Sequence, residues 1–254
     1  MAITITNLCV ALKDSKSCLD SIQIAEKLQN YFKANVNAFL VGNSKIGLPS
    51  SFNLEENVAT KGLGKKFNAS KNELIILPVI KGDPEMGLLT VAEANQIIER
   101  SERMVLTVPC IGAAFNLSAI VVPIDSSFET RQKVPYAIAF ARVFNATLHI
   151  IGVSNDKGKD STVLINNYMR QVCNNIEEKG VNYVSETRLG GNPTDQVLAY
   201  SKEVNAGMAV IMTEQETNFT SFFSGKYSQQ MVKNSNIPIL SIHPKDLIVS
   251  DARL

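Results

Sequence analysis

Asp125 is the residue best placed to do chemistry, because it directly follows an apolar run, 119–124, that is typical of a buried strand. A carboxylate at the end of such a strand can act as a general base when a histidine or a second acid lies beside it. The sequence places neither there: His149 falls in the middle of a predicted strand, and His243 follows the last strand. The alternative role for Asp125 is to accept backbone hydrogen bonds at the turn into the next helix. No catalytic residue is therefore predicted.

Motifs that identify common classes of enzyme are absent from the sequence. It contains no Gly-x-Ser-x-Gly, no Gly-x4-Gly-Lys-Ser/Thr and no His-Glu-x-x-His. Two histidines and four scattered cysteines, without a Cys-x-x-Cys pair, do not have the spacing of metal ligands. Free thiols in a reducing cytoplasm are expected, and the residues up to Val10 do not resemble a secretory signal. We predict a cytoplasmic protein that is not an enzyme and holds no metal.

Composition and charge exclude two further classes of function. The chain has 254 residues, 45% of them hydrophobic, which is enough for a sizeable core and predicts two domains. The net charge is +1, with 12 basic and 11 acidic residues before position 113 and 13 of each from there on. Neither half has the basic surplus of a nucleic-acid-binding protein, and no apolar run approaches the roughly 18 residues of a membrane span. Neither nucleic acid nor membrane is predicted as a partner.

The second half of the chain alternates strands with helices. Asn192 and Pro193 are predicted as the N-cap and first-turn proline of a helix, and Gly180 as a left-handed helix end. The predicted order is strand 119–124, helix 129–144, strand 147–153, helix 160–179, strand 181–188, helix 194–204, strand 208–212, helix 228–234 and strand 237–242. This alternation predicts a doubly wound parallel sheet.

The first half repeats this order in a shortened form. Its predicted elements are strand 8–12, helix 16–32, strand 35–41, strand 73–80, helix 90–103 and strand 104–108. The first strands of the two copies lie 112 residues apart and the last strands 134, so the first copy lacks about one helix–strand unit. Residues 42–71 are predicted as an irregular connection in its place. The domains are assigned to residues 1–111 and 116–254, with a short linker at 110–116.

An ordered set of segments in the second half resembles the universal stress protein family. The set consists of Val121-Val122-Pro123-Ile124-Asp125-Ser126-Ser127, then Thr147–Val153, Gly190-Gly191-Asn192-Pro193 and Ile237–Ile242. No single motif is specific, but together they extend over residues 119–244, and the first half matches more weakly. The resemblance implies two doubly wound, adenine nucleotide alpha hydrolase-like domains of the universal stress protein type in tandem, the first shortened and degenerate.

The resemblance also implies a ligand. In the nucleotide-binding branch of that family, ATP or AMP lies across the carboxyl ends of the strands, the usual ligand position of a doubly wound sheet. Carried over by position, Asp125 faces the ribose and adenine, and Pro123 and Ile124 shape the same edge. The backbone of Val153 meets the adenine, and Met212 lies beside the ring or the ribose.

The phosphate-binding part of the family pattern is damaged in this sequence. The residues implied for it are Thr213, Gly225, Lys226 and Ser228. In the pattern G-x2-G-x9-G-[ST], Thr213 and Glu216 replace the first two glycines, which hinders the approach of backbone to phosphate. Two acids, Glu214 and Glu216, would also repel a triphosphate. Lys226 either offsets this repulsion by reaching a phosphate or is a solvated surface lysine.

The first copy departs further from the pattern. Ala11 stands at the position of Pro123 and Lys13 at that of Asp125, so we predict that this copy holds no nucleotide in the family manner. Family members pair through their last strands. The resemblance therefore implies that strands 104–108 and 237–242 meet within one chain as a pseudo-dimer, with a homodimer as the alternative.

Several functional hypotheses remain open. The first is a non-enzymatic stress-response or signalling protein that acts through interaction with a protein partner and binds an adenine nucleotide weakly in its second domain. The alternatives are an ATP- or AMP-binding sensor with little or no hydrolysis, an interaction module in which both sites have decayed and no nucleotide is bound, and an enzyme that slowly hydrolyses ATP or carries out nucleotidyl chemistry. The damaged phosphate pattern favours the first hypothesis over tight triphosphate binding.

Overall fold

The chain forms two compact units, seen in a computed structural model that describes residues 3–13, 15–41, 46–59, 63–69, 71–81, 88–101, 103–111, 115–213 and 227–243. We call residues 4–115 together with 235–243 the first unit, and residues 116–234 the second unit. The segment 235–243 comes at the end of the second copy in sequence but belongs to the same unit as the first copy.

The described part of the first unit contains six strands and three α-helices. They are β1 (Asn7–Leu12), α1 (Ser15–Phe32), β2 (Asn35–Val41), β3 (Phe52–Val58), α2 (Leu63–Ala69), β4 (Leu74–Ile80), α3 (Val91–Arg100), β5 (Met104–Cys110) and β10 (Ile239–Ile242). The strands lie in the order β3-β2-β1-β4-β5-β10, and all neighbours are parallel except β5 and β10. Strands β1, β4 and β5 are buried along nearly their whole length, as expected of strands covered on both faces.

The prediction of an irregular connection over residues 42–71 is wrong. Strand β3 and helix α2 both lie in that range, and β3 pairs in parallel with β2. Among the described residues, the first unit therefore has no helix between its second and third strands, and it keeps the strand that we expected to be missing. The sequence does not reveal β3 as a strand, because Asn53, Leu54 and Glu55 are all exposed on this edge strand and apolar and polar residues do not alternate.

The described part of the second unit contains four parallel strands and four α-helices. They are β6 (Ala119–Ile124), α4 (Val134–Phe144), β7 (Thr147–Ser154), α5 (Lys159–Glu178), β8 (Tyr183–Leu189), α6 (Pro193–Glu203), β9 (Met208–Met212) and α7 (Tyr227–Asn234). The strand order is β9-β6-β7-β8, and a 3₁₀ helix (Phe128–Lys133) precedes α4. The predicted fold class, parallel α/β sheets with helices in two related copies, is confirmed.

The helix ends read from the sequence are confirmed in the second unit. The side-chain oxygen of Asn192 accepts hydrogen bonds from the backbone N–H groups of Thr194, at 2.9 Å, and Asp195, at 3.3 Å, and Pro193 is the first residue of α6. Gly180, just beyond α5, has a φ of 66°, the left-handed conformation that favours glycine.

Loss of the Asn192 cap tests this description of α6. Substitution Asn192→Ala is expected to lower the free energy of unfolding by about 1 kcal/mol, because two N–H groups at the helix start lose their acceptor. Urea unfolding followed by circular dichroism measures the change. Asn192→Asp keeps an acceptor oxygen and is the control. An alanine variant as stable as the parent protein would contradict a stabilising cap.

The predicted pairing of the last strands of the two copies is confirmed. Strands β5 and β10 are antiparallel neighbours, with Thr107 opposite Ile239, Leu106 opposite Leu240 and Val105 opposite Ser241. All four residues of β10 are buried. The sheet of the first unit is therefore completed by a strand that the chain reaches only after it has passed through the second unit.

Candidate functional site

The candidate site lies at the carboxyl end of the second unit's sheet, at the topological switch point between β6 and β9. There the chain stops adding strands on one side of β6 and places the next strand, β9, on its other side. Strand β6 pairs with β7 at six positions but with β9 at only two, Ile120 opposite Met208 and Val121 opposite Ala209. The residues of β6 after Val121 are thus not joined to β9. This is the place where doubly wound sheets leave a crevice for ligands.

Three of the predicted site residues lie at this edge. The pairing of Ile124 with Gly152, continued by one residue, brings Asp125 level with Val153 on β7. Asp125 and Thr213 each lie four residues beyond the last pair of β6 and β9, Val121 opposite Ala209, at a point where these two strands no longer pair with each other. Val153, Asp125 and Thr213 therefore end or follow three neighbouring strands at the same edge of the sheet, and we call them the row.

Asp125 is held by the turn that follows it. Its Oδ1 accepts a hydrogen bond from the backbone N–H of Ser127 at 2.7 Å, and its own N–H donates to Oγ1 of Thr130 at 3.0 Å. Asp125 therefore does accept a backbone hydrogen bond at this turn, which is the alternative role that the sequence left open. Within the described part of the chain, Oδ2 accepts no hydrogen bond, so this half-buried carboxylate keeps one oxygen available to a ligand.

Lys133 is an ionisable residue near the site that sequence reasoning missed. It is 2% exposed, and its Nζ donates to the carbonyl oxygen of Thr130 at 2.7 Å and to Oγ1 of Thr130 at 3.1 Å. Burial lowers the pKa of this amine to about 8, and the negative charge of Asp125 opposes that shift. Thr130 thus connects the buried amine to the backbone of Asp125.

The other predicted site residues are spread around this edge, and two cannot be placed. Pro123 and Ile124 are buried in β6, Val153 is buried in β7, and Met212 ends β9 half-buried. Thr213 and Ser228 are both buried, the latter in the first turn of α7. Gly225, Lys226, Glu214 and Glu216 lie outside the described residues.

An aromatic stack stands next to the turn of Asp125. The guanidinium carbon of Arg131 lies 4.1 Å from the ring centre of Tyr168 and 5.2 Å from that of Phe128. Arg131 also donates to the side-chain oxygen of Gln171 on α5. Phe128 is nonetheless 66% exposed. No signal in the sequence predicts this stack, since its members come from separate elements.

His149 takes no part in the site. Its Nδ1 lies 3.2 Å from the hydroxyl of Tyr200 on α6, and Arg188 on β8 lies over the Tyr200 ring at 4.9 Å. Burial lowers the pKa of His149, so the ring stays neutral at physiological pH. This is a packed imidazole in the middle of β7. Among the described residues there is also no group of three potential metal ligands and no helix long and apolar enough to cross a membrane.

Comparison with known proteins agrees with this fold. The model of the universal stress protein family matches residues 117–243, which is 127 of the 254 residues. Two solved structures match nearly the whole chain, each at 14% identity. A universal stress protein from Archaeoglobus fulgidus DSM 4304 aligns over 93% of this chain and 98% of its own, with a TM-score of 0.66. A structure from Pseudomonas aeruginosa UCBPP-PA14, described as that of a universal stress protein, aligns over 97% and 96%, with a TM-score of 0.70.

These two likenesses establish the fold over 93% and 97% of the chain, and the family model covers residues 117–243 of the second copy. A search of curated proteins finds no match to the sequence. At 14% identity, the structural relatives say nothing about ligands, so any ligand has to be argued from the residues of this chain.

Proposed function

The chain belongs to the universal stress protein family, and on this premise we propose a function without catalysis. The protein acts in stress response or signalling through interaction with a protein partner, and its second unit binds an adenine nucleotide, ATP or AMP, weakly. The observation that supports this proposal best is the row of Val153, Asp125 and Thr213 at the carboxyl edge of the sheet, where β6 and β9 no longer pair with each other.

Each part of the ligand has a proposed contact in this crevice. Oδ2 of Asp125 accepts a hydrogen bond from a ribose hydroxyl, while Oδ1 stays bonded to the turn. The backbone of Val153 bonds to the adenine, and the Met212 side chain packs against the ring. Pro123 and Ile124 form the floor of this edge. Thr213, Gly225, Lys226 and Ser228 are proposed to line the phosphate end.

Two features of the chain favour weak binding without turnover. Thr213 stands where the family has a glycine, and Glu214 and Glu216 add negative charge to the sequence segment that the family pattern uses for phosphate. A like-charge pair about 4 Å apart costs on the order of 1 kcal/mol in water and about 4 near a protein surface. In the described residues, Asp125 has no hydrogen-bonded histidine or second carboxylate to complete an acid–base pair.

Calorimetric titration of the full chain with AMP and with ATP tests the proposal. We expect saturable heat with both ligands, and ATP no tighter than AMP, because the additional phosphates meet the acids at 214 and 216. Incubation with ATP is expected to release no phosphate above the rate in buffer. Absence of heat at millimolar concentrations of both ligands would overturn the nucleotide part of the proposal, and phosphate release would overturn the non-enzymatic part.

Interaction without any nucleotide is the second candidate function. It is favoured by Phe128, a large apolar side chain that is 66% exposed and supported from behind by Arg131 and Tyr168. Exposed aromatic and arginine side chains are enriched where proteins bind each other. If the titrations give no heat, this stack remains as the feature that favours a protein partner.

A further inference from the structure

Thr130 joins Asp125 to Lys133 through a single hydroxyl oxygen. Its Oγ1 accepts one hydrogen bond from the N–H of Asp125 at 3.0 Å and another from Nζ of Lys133 at 3.1 Å. The same Nζ donates to the carbonyl oxygen of Thr130 at 2.7 Å. Lys133 thus holds Thr130 at two points, and Thr130 in turn holds the backbone at the start of the Asp125 turn.

These hydrogen bonds lie inside the protein. Thr130 is 1% exposed and Lys133 is 2% exposed, and the 3₁₀ helix that carries both packs against β9, α4 and β6. A hydrogen bond shielded from water is stronger than one at the surface, and a charged donor strengthens it further. The three bonds therefore restrict the geometry of the groups that they join.

Asp125 is the ionisable group whose charge acts on Lys133. Burial lowers the pKa of the amine to about 8, and among the described residues only the charge of Asp125 opposes this shift. Strands β6 and β9 carry no ionisable side chain, and the 3₁₀ helix and α4 carry Glu129, Arg131, Tyr136 and Arg142. The charge state of Lys133 is therefore coupled to the residue at the mouth of the crevice.

A lysine at this position needs an explanation, because burying its charge costs free energy. In the part of the chain that the structure describes, no carboxylate accepts a hydrogen bond from its Nζ. Replacing a buried charged residue by an apolar one of similar volume is often neutral or even stabilising. An apolar side chain could not, however, donate hydrogen bonds to Thr130. What Lys133 adds at this place is thus the support of the turn.

We propose that Lys133 is a positioning residue for the nucleotide crevice of the second unit, and that through Thr130 it holds the Asp125 turn in the form that binds a ribose hydroxyl. The proposal rests on the proposed function and adds regulation by the charge of Lys133. The protonated amine donates stronger hydrogen bonds than the neutral one, and its charge favours the carboxylate form of Asp125. Affinity for AMP is therefore highest while the amine is protonated and falls as it loses its proton.

Amide hydrogen exchange of the ligand-free chain, followed by NMR, tests the positioning without any nucleotide. The N–H groups of Asp125 and Ser127 are both bonded in the turn and are expected to exchange slowly. In Lys133→Met we expect both to exchange about tenfold faster, because the turn loses its support. The N–H of Leu148, which donates to the carbonyl oxygen of Asn182 at 2.9 Å, is the internal control and is expected to keep its rate.

Two substitutions of Thr130 test whether the effect passes through its hydroxyl oxygen. Thr130→Val removes this oxygen, keeps the shape of the side chain and is expected to speed exchange at Asp125 as Lys133→Met does. Thr130→Ser keeps the oxygen and is expected to behave like the parent protein. In the double variant, Lys133→Met is expected to add little to the effect of Thr130→Val, because both act on the same chain of hydrogen bonds.

Calorimetric titration with AMP between pH 7.0 and 9.5, at constant ionic strength, measures the effect on the ligand. We expect affinity in the parent protein to fall about three- to fivefold across this range, as the share of molecules with an ordered turn decreases. The midpoint is expected near pH 8, the pKa of Lys133. The phosphate of AMP, with a second pKa of about 6, keeps its charge throughout. Lys133→Met is expected to bind with the lower affinity at every pH, and Lys202→Met, at an exposed lysine of α6, to follow the parent protein.

Two results would overturn the proposal: slow exchange at Asp125 and Ser127 in Lys133→Met, or an equal fall of AMP affinity with pH in the variant and the parent protein. If circular dichroism shows that Lys133→Met is unfolded, Lys133→Gln, which is uncharged but keeps an N–H donor, takes its place in the pH series. If the parent protein binds no AMP, the nucleotide part of the proposed function fails, while amide exchange still decides whether Lys133 positions the turn.

Discussion

Replacing Asp125 with alanine is expected to weaken AMP binding at least about tenfold, the largest effect on ligand affinity that we predict for a single side chain. The reason is that Oδ2 of Asp125 is the acceptor that remains available at the mouth of the crevice, while Oδ1 is bonded to the N–H of Ser127. A hydrogen bond to a charged acceptor contributes about 1.5–3 kcal/mol. Calorimetric titration at one pH and salt concentration compares the variant with the parent protein.

A matched substitution separates the ligand role of Asp125 from its turn role. Asp125→Asn keeps an oxygen for the Ser127 bond but places an amide group where Oδ2 was, so we expect an intact turn and weakened AMP binding. Asp160→Asn, at an exposed acid of α5, is the control for the loss of one negative charge. If Asp125→Asn bound AMP as tightly as the parent protein, the carboxylate would act only through the turn, and the proposed ligand contact would be wrong.

Lys133 is expected to make stability rise between about pH 8 and pH 10.5. Burial lowers its pKa from 10.5 to about 8, so in this range the unfolded chain binds more protons than the folded protein. Stability then increases with pH, because the cost of burying the charged amine disappears as it is neutralised. The full increase is about 3 kcal/mol, obtained from the pKa difference at 1.36 kcal/mol for each unit.

The variant Lys133→Met is expected to lack this increase. Urea unfolding at several pH values from 7.5 to 10.5 gives the difference in the free energy of unfolding between the parent protein and the variant. Other groups that titrate in this range, such as Lys81, are present in both proteins and cancel in that difference. Lys202→Met, at an exposed lysine of α6, is expected to behave like the parent protein. If the free energy of unfolding rose equally with pH in the parent protein and in Lys133→Met, the prediction that neutralising Lys133 stabilises the folded protein would be wrong.

Much of the fold could be predicted because the central strands are continuous apolar runs. Strand β6 is buried at all six positions, so its pattern needs no alternation, and the turn signals at Gly180 and Asn192 mark the ends of neighbouring helices. The meeting of β5 and β10 could be predicted only from the resemblance to a family whose members pair through their last strands, and its antiparallel direction was not predicted.

The remaining features depend on contacts that no local pattern contains. Strand β3 exposes four successive positions, 53–56, so only its pairing with β2 makes it a strand. Lys133 is preceded by Arg131 and Gln132 in sequence, which is typical of a solvated helix face, yet it is buried in a 3₁₀ helix that packs against β9, α4 and β6. Likewise, Asp125 could be predicted as a site residue. No sequence pattern shows, however, that Oδ1 accepts the turn hydrogen bond while Oδ2 remains available to a ligand.

The position of β10 in the first unit has a consequence for biosynthesis. During translation the ribosome releases residues 4–115 first, yet the edge of β5 stays uncovered until residues 239–242 have emerged. The bond from Oγ1 of Thr107 to the carbonyl oxygen of Ile239 joins residues 132 apart in sequence. Pairing between residues so far apart in sequence slows folding. Until it has formed, the edge of β5 can pair with strands other than β10. The nascent chain therefore cannot complete the six-stranded sheet of the first unit before the second unit has been made.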